Sequence, residues 1–533
     1  MAENSTTDAG RQRRLASALA LLALVGLLAA QILAILHLNG GRFVYTLDDA
    51  YIQLAMAEGI AAGTYGINGG ETAAASSSIA YPFLLAPLAR TGVAEWLPLG
   101  ICVAAAVATV LAFVALAFTS FGFARRPVGG LFAAALAILL MLSTNLVGLA
   151  LSGMEHSLQV LLTALAVLGV ARLLTRRVCP PWLPIVLAAG PLVRYENLAL
   201  SLPLLALLAW RGYWRQAAIA VLGMALVIGG FTAFLHSEDL GPLPASVMIK
   251  STVAGGGGVM AVPKMMARNL KNNLSKRQGA VLGLAALLLA AASFGPRGDS
   301  MPFDERLFGG ALAAAGGAHL AFGELGSYSR YEIYAWVALL LGGVFLGRRF
   351  WGSAWGKGRA WHALAACGPV LLLAALPYVL VLETIPGAAS NIYEQQHQMH
   401  RFVVDHYRGP VAVNDIGWVA FRNDGYVLDL WGLASREAAE ARARGGDVAW
   451  MEDLAAAHGV GLIMIYDLWF PEHPPGWTRV GTLRLSRERV SSAGADVAFY
   501  VRGDAARAKL EAALPAFVDQ LPAGVAFLRA PGG

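Results

Sequence analysis

The chain has 533 residues, of which 57% are Ala, Val, Ile, Leu, Met, Phe, Trp, Tyr or Cys and only 14% are charged, against about 25% charged in an ordinary soluble domain. That charge cannot cover a soluble surface of this size, which excludes a cytosolic enzyme, a disordered chain and a nucleic-acid-binding protein. The net charge of +6 has to be read by position, because Lys and Arg mark the cytoplasmic loops of a membrane protein.

A membrane-crossing helix needs about 20 apolar residues. The first such run, 15–38, follows Arg11, Arg13 and Arg14. It is too long for a signal-peptide core and no small-residue cleavage site follows it, so we read a retained anchor with its N-terminus inside. Further candidates are 96–120, 129–149, 157–173, 182–192, 197–210, 217–235, 279–294, 307–322, 332–347 and 362–382, which brings the count to about 11. The pair 182–192 and 197–210 is too short for two full spans and predicts a hairpin of half-helices, with Arg194 and Glu196 in its turn. The short run 79–89 predicts a half-inserted helix.

The charges support this order. Loops placed inside carry Arg125 and Arg126, then Arg172, Arg176 and Arg177, then Arg211 and Arg215, then Arg297 and Arg306, then Arg348, Arg349, Lys357 and Arg359. The stretch 237–277 is placed outside yet holds Lys250, Lys264, Arg268, Lys271, Lys276 and Arg277, which calls for a basic helix along the interface or a task for the cations. With this parity the loop 39–95, the loop 237–277 and everything after 383 face outside. The tail 391–533 has ordinary charge density. It alternates β-rich runs (411–413, 426–430, 460–466, 497–502) with helical ones (392–407, 435–456, 504–514), as a small α/β domain does. The expected fold is therefore mainly α: a transmembrane helical bundle over 1–383 and a soluble α/β domain over 384–533. Cys102, Cys179 and Cys367 are too few and too scattered for a disulfide framework or a zinc site, and the tail holds no metal-ligand spacing.

The first outside loop reads Thr46-Leu-Asp-Asp-Ala-Tyr-Ile, then Gly63-Thr-Tyr-Gly, then Ser76-Ser-Ser-Ile-Ala-Tyr-Pro. Asp48 and Asp49 open a helical stretch, so helix capping is one reading of them. The other is a base, since adjacent carboxylates repel and one of them is pushed toward a higher pKa. Glu155 sits in a short outside turn, Ser152-Gly-Met-Glu-His, on the face that carries Asp48. His156 reads as a turn residue. Arg194 and Glu196 either neutralise each other or leave Arg194 to hold an anionic head group. Lys250, in a proline-ordered apolar loop, and Arg330, in Ser329-Arg-Tyr-Glu, add outside cations.

This ordered set resembles the GT-C superfamily of integral-membrane glycosyltransferases, and within it the branch of cell-wall arabinofuranosyltransferases. The matching residues are Asp48 to Ile52, Gly63 to Gly66, Ser76 to Pro82, Gly153 to Glu155, the Arg194 hairpin, the Lys250 loop, Arg330-Tyr331, Asp415 to Gly417 and Asp429 to Leu433. Departures are Tyr195 where proline is usual, Ala245 where asparagine follows proline, and Ala73-Ala-Ala-Ser76 in the first loop. The resemblance implies transfer of one sugar from a polyprenyl-phosphate donor to a hydroxyl of a cell-envelope glycan or lipid, at the outer face of the cytoplasmic membrane. Arabinofuranosyl transfer is one outcome it allows. It implies Asp48 as base with Asp49 second, and Arg194, Lys250 and Arg330 on the donor phosphate. Glu155, Tyr51, Glu196 and Tyr331 would bind the acceptor or an ion. No cofactor is required, and a divalent cation is allowed. The competing class is a polyprenyl-lipid transporter or assembly factor, which should show paired repeats with interrupted helices; one interrupted hairpin is present, without a partner.

Overall fold

The computed structural model describes residues 2–121, 129–245, 262–295, 301–356, 358–445 and 447–530. Lys250 and, among the basic loop residues, Arg125, Arg126, Arg297 and Lys357 lie outside the described residues.

The chain is mainly helical. Its first ten helices are α1 (Ala2–Leu38), α2 (Asp49–Ala61), α3 (Ala80–Leu85), α4 (Leu97–Phe121), α5 (Gly129–Ser143), α6 (Leu146–Ser152), α7 (His156–Arg176), α8 (Leu183–Val193), α9 (Leu198–Leu208) and α10 (Trp214–Ser237). Among the described residues, six helices are long and apolar enough to cross a membrane, or seven if one bent pair counts as a span. Eleven spans are not confirmed; shorter apolar helices, Leu183–Val193 and Ala360–Ala374, stand beside the six. Local breaks divide several apolar runs. The run 129–149 bends by 53° between α5 and α6, where Asn145 takes a left-handed backbone (φ 50°). The run 362–382 is divided into Ala360–Ala374 and Leu376–Val379. The half-helices α8 and α9 flank a tight turn at Tyr195–Asn197, as the short apolar runs predicted, and α9 meets α10 across a kink at Gly212 (φ 87°). The run 79–89 becomes α3 followed by one 3-10 turn.

The basic stretch after α10 contains a helix, Val262–Leu274. Lys264, Arg268 and Lys271 are exposed on it, while Asn269 and Asn273 are buried. Asn273 donates to the carbonyls of Leu320 (2.9 Å) and Gly323 (2.9 Å), at the C-terminal end of Phe303–Phe322. Those carbonyls have no partner within their own helix, so the asparagine satisfies the helix end.

The helix Val381–Glu394 packs on α1 and leads into the tail. There a six-stranded sheet has the order β2 (Val427–Asp429), β1 (Val411–Val413), β3 (Leu462–Ile465), β5 (Asp496–Arg502), β4 (Trp477–Arg484), β6 (Ala526–Arg529). Strands β2, β1 and β3 are parallel, with Ala412 opposite Leu428 and Ile463, and the remaining pairs are antiparallel. Val411–Val413 and Leu462–Ile465 are buried throughout, as parallel strands covered on both faces should be. The expected helix 435–456 is two helices, Arg436–Arg444 and Ala449–Ala457, separated beyond Gly445 (φ 67°). Tail and bundle meet where the short helix Gly417–Ala420 packs on α2.

Candidate functional site

Several turns end at one side of the bundle and enclose a cavity of about 140 Å³. Its walls come from the start of α2 (Asp49, Ile52, Gln53), the loop before α3 (Ala75, Ser77), the α6–α7 turn (Met154, His156), the α8–α9 turn (Arg194, Tyr195, Glu196), the end of Phe303–Phe322, and Arg330 with Tyr331.

The turns are held by specific contacts. Gly153 adopts φ 68°, and a Cβ there would lie 2.6 Å from the Tyr45 ring. Tyr81 donates its hydroxyl to the Gly153 carbonyl (2.8 Å), and Cys102 Sγ donates to the Met154 carbonyl (3.2 Å). Glu155 is thereby fixed with no exposure, and its Oε1 lies 3.1 Å from Arg194 Nη1. Arg194 is extended at the break between α8 and α9 (φ −150°, ψ 126°), which swings its guanidinium off either helix. It grips Glu196 with two bonds, Nε to Oε2 at 3.2 Å and Nη2 to Oε1 at 2.7 Å. Ser77 Oγ accepts from Arg194 Nη1 (2.5 Å) and donates to Glu155 Oε1 (3.3 Å). A buried charge needs this degree of pairing, since removing it from water costs several kcal/mol.

On the opposite wall, Arg330 Nη2 bonds Asp49 Oδ2 at 2.6 Å. Arg330 is 2% exposed, and among the described residues its Nε and Nη1 make no hydrogen bond within ordinary geometry. Burial alone would lower its pKa, but Asp49 beside it raises it above the ordinary arginine value, so it stays charged. The Tyr331 ring lies beside both cations, with guanidinium carbons 5.2 Å (Arg330) and 5.9 Å (Arg194) from its centroid.

The structure separates the two aspartates. Asp48 occupies the N-cap position of α2 but makes no capping bond. Its two oxygens cross to the tail and accept the backbone N–H groups of Gly417 (2.7 Å) and Trp418 (2.9 Å). Burial, then the nearby Asp415 carboxylate, hold its pKa well above the usual carboxylate value, while the two N–H groups pull the other way. Of Asp48 and Asp49, only Asp49 is among the residues that line the cavity. Tyr51 is also drawn away from the cavity. It is buried and stacks on Trp418 with ring centroids 3.9 Å apart. The alternation of a helix explains both placements: Asp49, Ile52 and Gln53 face the cavity, whereas Tyr51 faces the tail.

Arg194, Glu196, Arg330, Tyr331 and Asp49 are thus brought together, with Glu155 packed behind Arg194. Sequence reasoning passed over Ser77, Gln53 and His319 and read His156 as a turn residue. The serine run was visible, and Ser76 Oγ donates to Gln53 Oε1 (2.8 Å) to tie that loop to α2. His319 carried no signal beyond one histidine in an apolar run. Among the described residues, no group of three or more His, Cys, Asp or Glu is placed to hold a metal ion.

Residues 390–500 match a family model described as a domain of unknown function (DUF8728). That stretch includes Gly417 and Trp418, which meet Asp48, and leaves out α1 to α10. No curated protein matches the chain.

Proposed function

We propose that the chain is a membrane glycosyltransferase of the GT-C type, which moves one sugar from a polyprenyl-phosphate donor to a hydroxyl of a cell-envelope glycan or lipid. Its site opens on the outer face of the cytoplasmic membrane. The observation that supports this reading is the Asp49–Arg330 pair: a carboxylate in the cavity wall beside a buried guanidinium whose Nε and Nη1 make no hydrogen bond among the described residues.

The chemistry uses both groups. The donor phosphate bonds the guanidinium of Arg330 in competition with the Asp49 carboxylate. The acceptor oxygen attacks the sugar's anomeric carbon, and Asp49 takes its proton as the new C–O bond forms. The old bond to the phosphate oxygen breaks with its electron pair, and polyprenyl phosphate leaves with one more negative charge. Arg330, with Arg194 beside the same Tyr331 ring, stabilises that charge, and preorganised donors of this kind commonly supply the largest share of a rate enhancement. Lys250 would add a third cation. Glu155 and Glu196 hold Arg194 in place. Asp48 acts at a distance, by joining α2 to the tail.

The test is a transfer assay on the purified protein, with a panel of polyprenyl-phosphate sugars and membrane-extracted glycan, in which released polyprenyl phosphate is measured by mass spectrometry. Release by the wild type and not by Asp49→Asn is expected. The absence of release from every donor, in folded protein, would move the reading to a carrier of the same lipid.

A further inference from the structure

A second polar cleft, of about 370 Å³, lies where the tail meets the segment between α1 and α2. It is lined by Arg42, Tyr393, His397, His400, Arg401 and Asp405. Its volume falls in the range of about 300–1,000 Å³ that small-ligand sites occupy.

The two arginines approach it from different parts of the fold. Arg42 is exposed and makes one ion pair, with Glu95 at 3.3 Å. Arg401 is held by neutral groups, Gln398 Oε1 (2.8 Å), Gln520 Oε1 (2.6 Å) and the Gln520 carbonyl (3.3 Å), and among the described residues no acid pairs with it. Between them, His397 is buried and its pKa is pushed down to about 2, by burial first and then by Arg42, His400 and Arg401. His400 is pushed down to about 4, again mainly by burial. Both imidazoles are therefore neutral near pH 7, and because His397 Nδ1 lies 3.2 Å from Gln398 Nε2, that ring has its Nε2 left for a ligand. Tyr393 stacks on His397 at 5.3 Å.

Two guanidiniums suit a carboxylate or phosphate, which they hold by paired charge-assisted bonds. Neutral imidazoles and a rim carboxylate suit hydroxyl groups. Asp405 would repel a bare dianion but accept a bond from a sugar hydroxyl. We propose that this cleft binds an acidic sugar unit of a glycan, with its carboxylate or phosphate substituent between Arg42 and Arg401 and its hydroxyls on His397, His400 and Asp405. The proposal rests on the glycan-acceptor reading above. Trp418 connects the two sites. Arg42, His397 and His400 surround its ring at 5.5, 4.9 and 5.3 Å, and on the α2 side it also meets Tyr51 and Asp48, next to Asp49.

The experiment is isothermal titration of the full-length protein in detergent with a dihexuronate, a hexose 6-phosphate, the matching neutral disaccharide and inorganic phosphate. Binding of one of the two acidic sugars is expected and tells which substituent is recognised. The neutral disaccharide should bind at least about tenfold more weakly, and Arg42→Gln and Arg401→Gln should each lose about tenfold. Arg42→Lys should recover part of the loss. Equal binding of neutral and acidic sugars, unchanged binding by the variants, or no binding at all would overturn the proposal. Inorganic phosphate binding as tightly as the acidic sugars would remove the saccharide from it. If Arg401→Gln lowers the unfolding midpoint, the exposed Arg42 variants decide the outcome. Release of polyprenyl phosphate is a separate reading. A protein that binds the acidic sugar but never releases the lipid loses the transferase reading and keeps the cleft. Release with no binding loses the cleft alone.

Discussion

Arg330 Nη2 stands 2.6 Å from Asp49 Oδ2 across 281 residues of sequence, and this pair joins the start of α2 to the segment before the helix Ile333–Leu346. Through this contact a carboxylate and a buried cation stand side by side in the cavity wall.

Asp49→Asn keeps the shape of the side chain and removes its basicity. Polyprenyl phosphate release should fall by about 100-fold or more, the range expected for a lost general base. Thermal unfolding, measured in parallel, should show that the protein remains folded. Full release by this variant would remove Asp49 from the mechanism.

Arg330→Gln should reduce release by about 100- to 1,000-fold, as the loss of a preorganised donor does. Arg330→Lys should not restore it, because the ammonium lacks the planar fork and cannot lie over Tyr331 in the same way. Steady-state release by the two variants checks both statements, and recovery with lysine would reduce Arg330 to a point charge.

Gly153→Ala should displace the α6–α7 turn, since Gly153 has φ 68° and the new Cβ would meet the Tyr45 ring. The turn carries Glu155, so Arg194 would lose its buried partner. A stability loss of about 1–3 kcal/mol is expected from strain of this kind, together with weaker release. Chemical unfolding curves provide the measurement.

Asp48 predicts a pH dependence. Its native pKa is raised above that of the unfolded chain, about 3.9. The folded state therefore holds the proton more tightly. The resulting stability is full below the unfolded value and is lost as pH rises through the raised native one. The unfolding midpoint should fall across that window. Asp415→Asn should narrow the window and reduce the total fall, since Asp415 is the largest contributor to the shift after burial. An unchanged window would place the effect elsewhere.

Gly417→Ala should loosen the tail from α2. The added Cβ would lie 2.6 Å from Asp48 Oδ2, where the Gly417 N–H now donates. Limited proteolysis of the tail should become faster. If the tail positions the acceptor, release with glycan should fall more than hydrolysis of donor alone.

The bundle, the tail and the half-helix turn could be read from the residues themselves. Apolar runs, the Arg194–Glu196 interruption and the return of charge after 391 are local properties of composition. The span count could not be read in this way, because a run such as 129–149 bends at Asn145 through backbone geometry that hydropathy does not record. Strands β4 and β6 escaped as well. The first carries a register shift between Arg479 and Gly481 that breaks its alternation, and the second has no fully buried residue to mark it as part of the core.

Sequence by itself determined which residues carry charge in an apolar chain, because burying an unpaired charge is costly enough that each one stands out. Tertiary structure alone decided what each charge does. Asp48 and Asp49 are neighbours of the same type, yet one is turned to the backbone of Gly417 and Trp418 and the other to Arg330. The turn of the helix sends adjacent side chains about 100° apart, and only the packing of the tail on α2 decides which of the two directions meets protein and which meets the cavity.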